Sequence, residues 1–276
     1  MKPALIVLSL TALLGTGSAM ATEAAPASTV SHEQFATLLG GNWRVPQNAA
    51  RDQYRHPEQT LAFFGLRPDQ TVIEITPGNG WYSELLAPLL KDKGRYVAAV
   101  VDPSTSDYAK KSADSLKQKY AADAAHYGKV EVVAYSPQAP VFGKPGSADT
   151  VLTFRNVHNW VDAGNEAATF KGFYDVLKPG GTLGVVDHRA KPGTTAKDNE
   201  KNGYLPTDYV IKLAQNAGFT LAGESDVNAN PKDTKDYPDG VWTLPPALVK
   251  GEQDKAKFLA IGESDRMTLR FIKPAK

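Results

Sequence analysis

The sequence predicts an α/β fold in which a mostly parallel sheet is covered by helices on both faces, and three observations carry that reading. From residue 71 onward, short β-branched runs alternate with stretches of helical spacing. The runs are apolar at nearly every position, as strands buried on both faces must be. The first run, "TVIEIT", is acidic near its tip and turns through Gly78 and Gly80 into the next helix. Such a turn lets unpaired backbone N–H groups at a helix start approach a ligand.

Taken in order, the chain opens on a leader. Lys2 supplies a positive charge, Ala4 to Leu14 an apolar run too short to span a bilayer, and Ala19-Met20-Ala21 a small-x-small cleavage pattern. A signal peptide over residues 1–21 is therefore expected, with export of the mature chain and no stable membrane insertion after cleavage. Residues 22–60 read as a tether, "TEAAPASTV", followed by a helical approach. Apolar residues recur at three and four in "HEQFATLLGG" and "RDQYRHPEQTLAFFGL", with Pro57 opening a helix.

Residues 61–276 form the main domain. "TVIEIT", "RYVAAVVD", "KVEVVAY", "ADTVLTFRN" and "TLGVVDH" read as strands, and "WYSELLAPLLKD", "YAKKSADSLKQKYAADAAH" and "EAATFKGFYDVL" as the helices between them. Lys178-Pro179-Gly180-Gly181 stops the third helix; Thr207 N-caps a further one, which Gly218 ends. "TLAGESDVN" follows, then a mostly irregular insertion over about residues 229–266, of a kind that often serves as a lid or binding loop, and a last strand, "RMTLRFIK". No internal repeat interrupts this order.

Composition narrows the function. Lysine plus arginine, 31, nearly cancels aspartate plus glutamate, 30, so no global field favours nucleic acid, and a small-molecule partner is expected. The absence of cysteine excludes thiolate chemistry and cysteine metal sites. Ser83 and Ser136 lack a GxSxG context, which disfavours serine hydrolysis. Nothing in the sequence specifies an oligomeric state.

Glu74 near the first strand tip, Gly78 and Gly80 spaced by one, and Asp102 at the end of the second strand suit a nucleotide-like cofactor, with Asp102 placed to accept from ribose hydroxyls. Here the sequence resembles the class I S-adenosylmethionine-dependent methyltransferases. Their acidic strand and GxGxG turn match "EITPGNG", in which Thr76 stands where the first glycine is usual. The resemblance implies S-adenosylmethionine as cofactor, held by Glu74, Thr76, Gly78, Gly80, Asp102 and Ser136, the last in the adenine-contacting loop after the third strand. It also implies a Rossmann-like sheet of seven strands with the last antiparallel. A closer resemblance, through "EITPGNGWYSELLAP", "TFRNVHNW", "VVDHRA", "ANPKDTKDYPDGVWTLPP" and "IGESDRMTLRFIKP", is to a bacterial family of predicted exported methyltransferases, which implies a periplasmic setting.

Methyl transfer to a hydroxyl or amine requires alignment and removal of a proton. His158 and His188 lie at predicted C-terminal strand ends, where ligands of open α/β sheets bind, and are the base candidates; packing or capping is the alternative for each. Arg155 and Asn156 are candidates to orient a substrate. Asp187 and Arg189 either steer His188 or pair with each other. Trp81, Tyr82 and Trp160 line a pocket or pack, with packing favoured for Tyr82, and "GESDR", Gly262 to Arg266, reaches the opening or forms a solvated turn. His32, His56 and His126 are read as structural. Convergence of His158, Asp187, His188, Glu263 and Asp265 on a metal is the weaker alternative, since no tight ligand spacing such as HExxH occurs, and no metal is expected.

Overall fold

The computed structural model describes residues 29–275, so the leader lies outside the described residues. The helical approach forms four short helices, α1 (His32–Leu39), α2 (Pro46–Ala49), α3 (Asp52–Arg55) and α4 (Pro57–Phe63). Ser31 and Gln34 close a capping box on α1, and Pro57 opens α4 as its spacing predicts. Phe35, Leu38, Leu61 and Phe64 from this region join the core on one face of the sheet.

The remaining elements are β1 (Thr71–Ile75), α5 (Ser83–Leu90), β2 (Arg95–Val101), α6 (Asp107–Ala122), α7 (Ala124–Tyr127), β3 (Glu131–Tyr135), β4 (Ala148–Phe154), α8 (Val157–Ala163), α9 (Glu166–Val176), β5 (Leu177–His188), α10 (Thr207–Asn216), β6 (Thr220–Ser225), α11 (Lys255–Ile261) and β7 (Arg266–Ile272). They build one seven-stranded sheet in the order β3-β2-β1-β4-β5-β7-β6. Pairing is parallel from β3 through β5, and β7 runs antiparallel to both β5 and β6. This is the mostly parallel Rossmann-like sheet, helices on both faces and last strand reversed, that the sequence predicts.

Side-chain alternation explains the two-sided burial. Ile73, Ile75, Val97 and Ala99 face a core shared with Phe170, Phe173 and Val210, whereas Val72, Tyr96, Ala98 and Val100 face Leu85, Leu86 and Leu116. Strand order reverses between β1 and β4, which opens a crevice at their C-terminal ends.

Local expectations needed correction at four places. The helix expected over 108–126 divides at Asp123, whose non-helical backbone ends α6 and whose side chain caps α7. Residues 157–163 form α8, unforeseen because so short a helix shows few apolar repeats. Strand β5 begins at Leu177, before the Lys-Pro-Gly-Gly turn, because Gly180 and Gly181 pair with Lys273 beyond β7. Thr207 is not the N-cap of α10; Pro206 is, and no side chain caps that helix. The segment over 229–266 is irregular save for a 3-10 turn, Gly240–Thr243, and α11.

Candidate functional site

The glycine bend follows β1 directly. Gly78 and Gly80 adopt φ of +59° and +72°, and a Cβ at Gly78 would meet no atom within 4 Å, so the backbone there is open to a ligand. Thr76 also adopts positive φ, +51°, a rare conformation for a β-branched residue. Its hydroxyl bonds Tyr135 Oη at 2.7 Å, a strap from the tip of β1 to the end of β3 across the tip of β2. Lys119 of α6 fixes the bend from the side by donating to the carbonyls of Asn79 and Gly80, both at 3.1 Å.

Glu74 lies beneath the bend on the α5 and α6 side. Its Oε2 accepts from Tyr96 Oη at 2.5 Å, and Ser83 links Tyr96 to Tyr120 at 2.7 and 2.8 Å. Burial pushes the Glu74 carboxyl up to about 7, against the opposing pull of Tyr96, Lys119 and Arg55. Asp102 is half-buried. Its Oδ1 accepts from the Ser104 N–H at 2.8 Å, and that backbone hydrogen bond lowers its pKa. Ser136 is half-buried and donates to Gln138 Oε1 at 3.1 Å. A cavity of about 130 Å³ borders the bend, lined by Thr76, Pro77, Gly78, Val101, Ser106 and Tyr108. Ligand pockets typically run to about 300–1,000 Å³, so a whole nucleoside requires movement there, and Tyr108 is exposed.

Asn156 joins this bend to the second half of the site. Its side-chain amide donates to Ile75 O at 3.0 Å and Thr153 Oγ1 at 3.2 Å, holding β4 against β1. Two residues on, at the start of α8, His158 Nδ1 donates to Asp187 Oδ1 at 2.9 Å. Asp187 is fully buried at the end of β5 and also accepts from the backbone N–H of His158 at 3.2 Å and of His188 at 2.7 Å. A buried carboxylate with three donors stays compensated. The pairing fixes the imidazole tautomer and leaves Nε2 of His158 as a hydrogen-bond acceptor. His188 bonds Ser264 Oγ at 2.5 Å through Nδ1, and burial, then His158 and nearby arginines, depress its pKa so that it remains neutral. The two imidazole rings lie 5.2 Å apart, with Trp242 from the irregular insertion 6.2 Å from His158.

The "GESDR" stretch is no solvated turn: Glu263, Ser264, Asp265 and Arg266 are all buried. Glu263 accepts from Arg51 Nε at 2.6 Å, Arg266 Nη1 at 3.0 Å and Arg55 Nε at 3.3 Å. Burial pushes its pKa up, but Arg55, Arg266, Arg51 and Arg155 outweigh burial and hold it down at about 2. Arg155 adopts φ of +61°, is half-buried, and has its pKa lowered to about 10 by burial, with Arg266 and Arg51 adding to the effect. Asp187 and Arg189 do not pair. Asp187 steers His158 instead of His188, while Arg189 pairs with Asp265 at 2.8 Å and Asp226 at 2.7 Å.

Of the five residues considered for a metal, the fold brings together His158, Asp187 and His188, whose donor atoms lie within 4.8 Å of one another. Glu263 is taken up by arginines and Asp265 by Arg189 and Lys235. The surrounding guanidinium groups oppose a second cation. Tyr82 packs as predicted, stacked on Phe154 at 3.5 Å; Trp81 lies under Arg55 at 4.6 Å, and Trp160 joins the core. His32 pairs with Glu58, His126 with Asp123, and His56 turns the chain between α3 and α4. Sequence reading missed Arg51, Arg55 and Lys119, and placed Tyr135 with Ser136 in the loop after the third strand without its bond to Thr76. Three arginines within twelve residues, Arg44, Arg51 and Arg55, were the available signal for the first two.

No family model and no curated protein sequence matches the chain. Solved structures do. An S-adenosylmethionine-dependent methyltransferase from Aquifex aeolicus is similar with a TM-score of 0.52 and 15% identity, over 81% of this chain and 93% of that one. The [4+2]-cyclase SpnF is similar with a TM-score of 0.58 and 14% identity, over 86% of each chain. An S-adenosylmethionine-dependent methyltransferase from Methanosarcina mazei reaches 0.52 at 12% identity, over 78% of this chain and 97% of that one. At such identities the likeness is one of fold, the Rossmann-like methyltransferase fold. Among the described residues no helix is long and apolar enough to cross a membrane.

Proposed function

We propose that this chain is an S-adenosylmethionine-dependent methyltransferase that acts on a small molecule outside the cytoplasm. The observation that carries the proposal is the tie, through Asn156, between an open glycine bend and a histidine–carboxylate pair at adjacent strand ends. The residues present suit the cofactor: Gly78 offers close backbone approach, Gly80 turns the bend against Leu116 and Ser83, Asp102 Oδ2 remains available for ribose hydroxyls, and Ser136 stands in the loop after β3. Glu74 supports the bend from below, and Thr76 borders it. When bound, S-adenosylmethionine supplies an electrophilic methyl group. Export rests on the leader, Lys2 to Ala21.

On the acceptor side, Asp187 holds His158 in the tautomer that presents Nε2 as base, and the acceptor's proton passes to that nitrogen. A neutral His188, held by Ser264, provides a second hydrogen-bonding group without adding charge. Arg155 orients the acceptor, and Asn156 fixes the distance between the two halves.

A second reading, the same fold adapted to another small-ligand reaction or to binding alone, is favoured by one observation: the Thr76–Tyr135 strap occupies the space above β2. The similarity to a [4+2]-cyclase fits that reading. Calorimetric titration with S-adenosylmethionine and S-adenosylhomocysteine separates them. Methyl transfer predicts binding of both, weakened about tenfold or more in Asp102→Ala by loss of a charged hydrogen-bond acceptor. Absence of binding by either at millimolar concentration would eliminate the first reading.

A further inference from the structure

The acceptor end of the crevice holds more positive charge than its internal contacts use. Four guanidinium groups, those of Arg51, Arg55, Arg155 and Arg266, surround one carboxylate, Glu263. Three of them bond Glu263 directly. The fourth, Arg155, makes no hydrogen bond or ion pair through its side chain among the described residues. Asp187, the other anion near it, is already committed to His158 and two backbone N–H groups.

Donors are left over as well as charge. Arg51 Nη2 and Arg55 Nη2 are buried without a hydrogen-bond partner, although Arg55 is 3% exposed. Buried polar groups are ordinarily paired, and a charged donor without a partner is the most costly exception. A purely structural role explains three arginines holding Glu263 and the loop before β7. It does not explain the fourth, nor the unfilled nitrogens. Arg155 also occupies a left-handed backbone conformation at the end of β4, a cost that no side-chain hydrogen bond among the described residues offsets.

Placement decides what the surplus is for. Arg155 stands three residues before His158 on the turn into α8, and Arg266 is the strand partner of His188. Arg155 and Arg51 are half-buried and reach solvent, whereas Arg55, Glu263 and Arg266 form the floor beneath them. We infer that Arg155 and the unfilled nitrogens of Arg51 and Arg55 bind an oxyanion, the carboxylate or phosphate group of an anionic small-molecule substrate. A planar guanidinium fork matches both groups in bidentate geometry. Bound there, the anion sits beside the histidine pair and fixes which part of the substrate faces His158. The inference deepens the acceptor side of the proposed reaction, but binding of an oxyanion does not require S-adenosylmethionine.

The test is a thermal-shift and calorimetric titration of the purified protein with inorganic phosphate, sulfate, succinate and benzoate, each against chloride at equal ionic strength. At about ten times its dissociation constant, a bound oxyanion raises the melting temperature by about 3 to 6 °C. Phosphate preferred over the carboxylates identifies a phosphorylated substrate; the reverse order identifies a carboxylate. Arg155→Gln weakens the preferred anion about tenfold or more and, in chloride, melts no lower than the parent, since Arg155 holds nothing in place. Arg155→Lys keeps the charge without the fork and gives an intermediate loss, which serves should the glutamine variant not fold. Arg95→Gln, on the exposed start of β2, leaves binding unchanged. The inference is overturned if no oxyanion is distinguished from chloride up to about 50 mM, or if Arg155→Gln binds as tightly as the parent. Because none of these probes contains adenosine, failure of S-adenosylmethionine to bind leaves this result standing, and the converse holds.

Discussion

Glu74→Gln should reverse part of the pH dependence of folding. In the native protein burial raises the Glu74 carboxyl from 4.5 to about 7. Between those values the folded state retains a proton that the unfolded chain has released, so stability is fully present below pH 4.5 and falls as pH rises toward 7. At 1.36 kcal/mol per unit, the loss is about 3 kcal/mol, and it is flat above pH 8. Glutamine keeps the acceptor oxygen for Tyr96 and has no proton to lose, so its slope in this window is absent. The unpaired amide N–H₂ costs about 1–3 kcal/mol, but equally at every pH, and cancels when variant and parent are compared across pH. Urea unfolding of both proteins from pH 4.5 to 8 is the assay. The expected result is a stability difference that moves about 3 kcal/mol in favour of the variant between the ends of the range, about 6 to 12 °C in melting temperature. Parallel profiles, with a difference constant to within about 1 kcal/mol, would show that Glu74 is ionised in the folded state and would refute the assignment.

Two further outcomes test the site. Asp187→Asn removes the carboxylate that sets the His158 tautomer, so turnover should fall about 10²–10⁴-fold while affinity for S-adenosylmethionine stays within about twofold. Collapse of affinity with turnover spared, read by calorimetry and product mass spectrometry, would reverse the two roles. Thr76→Gly relieves a left-handed β-branched residue, worth about 1–2 kcal/mol, yet loses the Tyr135 bond, about 1 kcal/mol, and adds glycine entropy, about 0.5–1 kcal/mol. Net stability measured in urea should change by less than about 1 kcal/mol, and a larger loss would mean that the strap, not the bend, organises this corner.

Six of the seven strands were legible because each carries its own signal, whereas "TLAGES" of β6, with no buried residue, carries none. Buried parallel strands such as "RYVAAVV" are apolar throughout, and the glycines punctuating them are local features too. Helix α8 was not, since Val157, Trp160 and Val161 share one face over barely two turns. The histidines at the ends of β4 and β5 were legible from position alone, because a strand end fixes where the next residue must lie. Their partners were not. Asp187 adjoins His188 in sequence yet serves His158, since neighbouring residues on a strand point to opposite faces while β4 and β5 lie side by side. The arginines of α3 and its N-cap reach Glu263 across more than two hundred residues, a distance over which no periodicity speaks.

Strain marks the same place from a different direction. Thr76 and Arg155 both adopt positive φ, and they stand at the ends of β1 and β4, the adjacent strands between which the sheet order reverses. Left-handed non-glycine residues cost about 1–3 kcal/mol each, against a net stability of about 5–15 kcal/mol for a domain. Glycine at either position would remove most of that cost. Of the side chains that glycine would discard, one is bonded to Tyr135 across β2 and one stands near Glu263 without a hydrogen bond of its own. Asn156, hydrogen-bonded to the backbone of Ile75 and next in sequence to Arg155, holds the two strained turns in one frame. Both strained turns therefore stand at the switch point where the proposed ligand would bind.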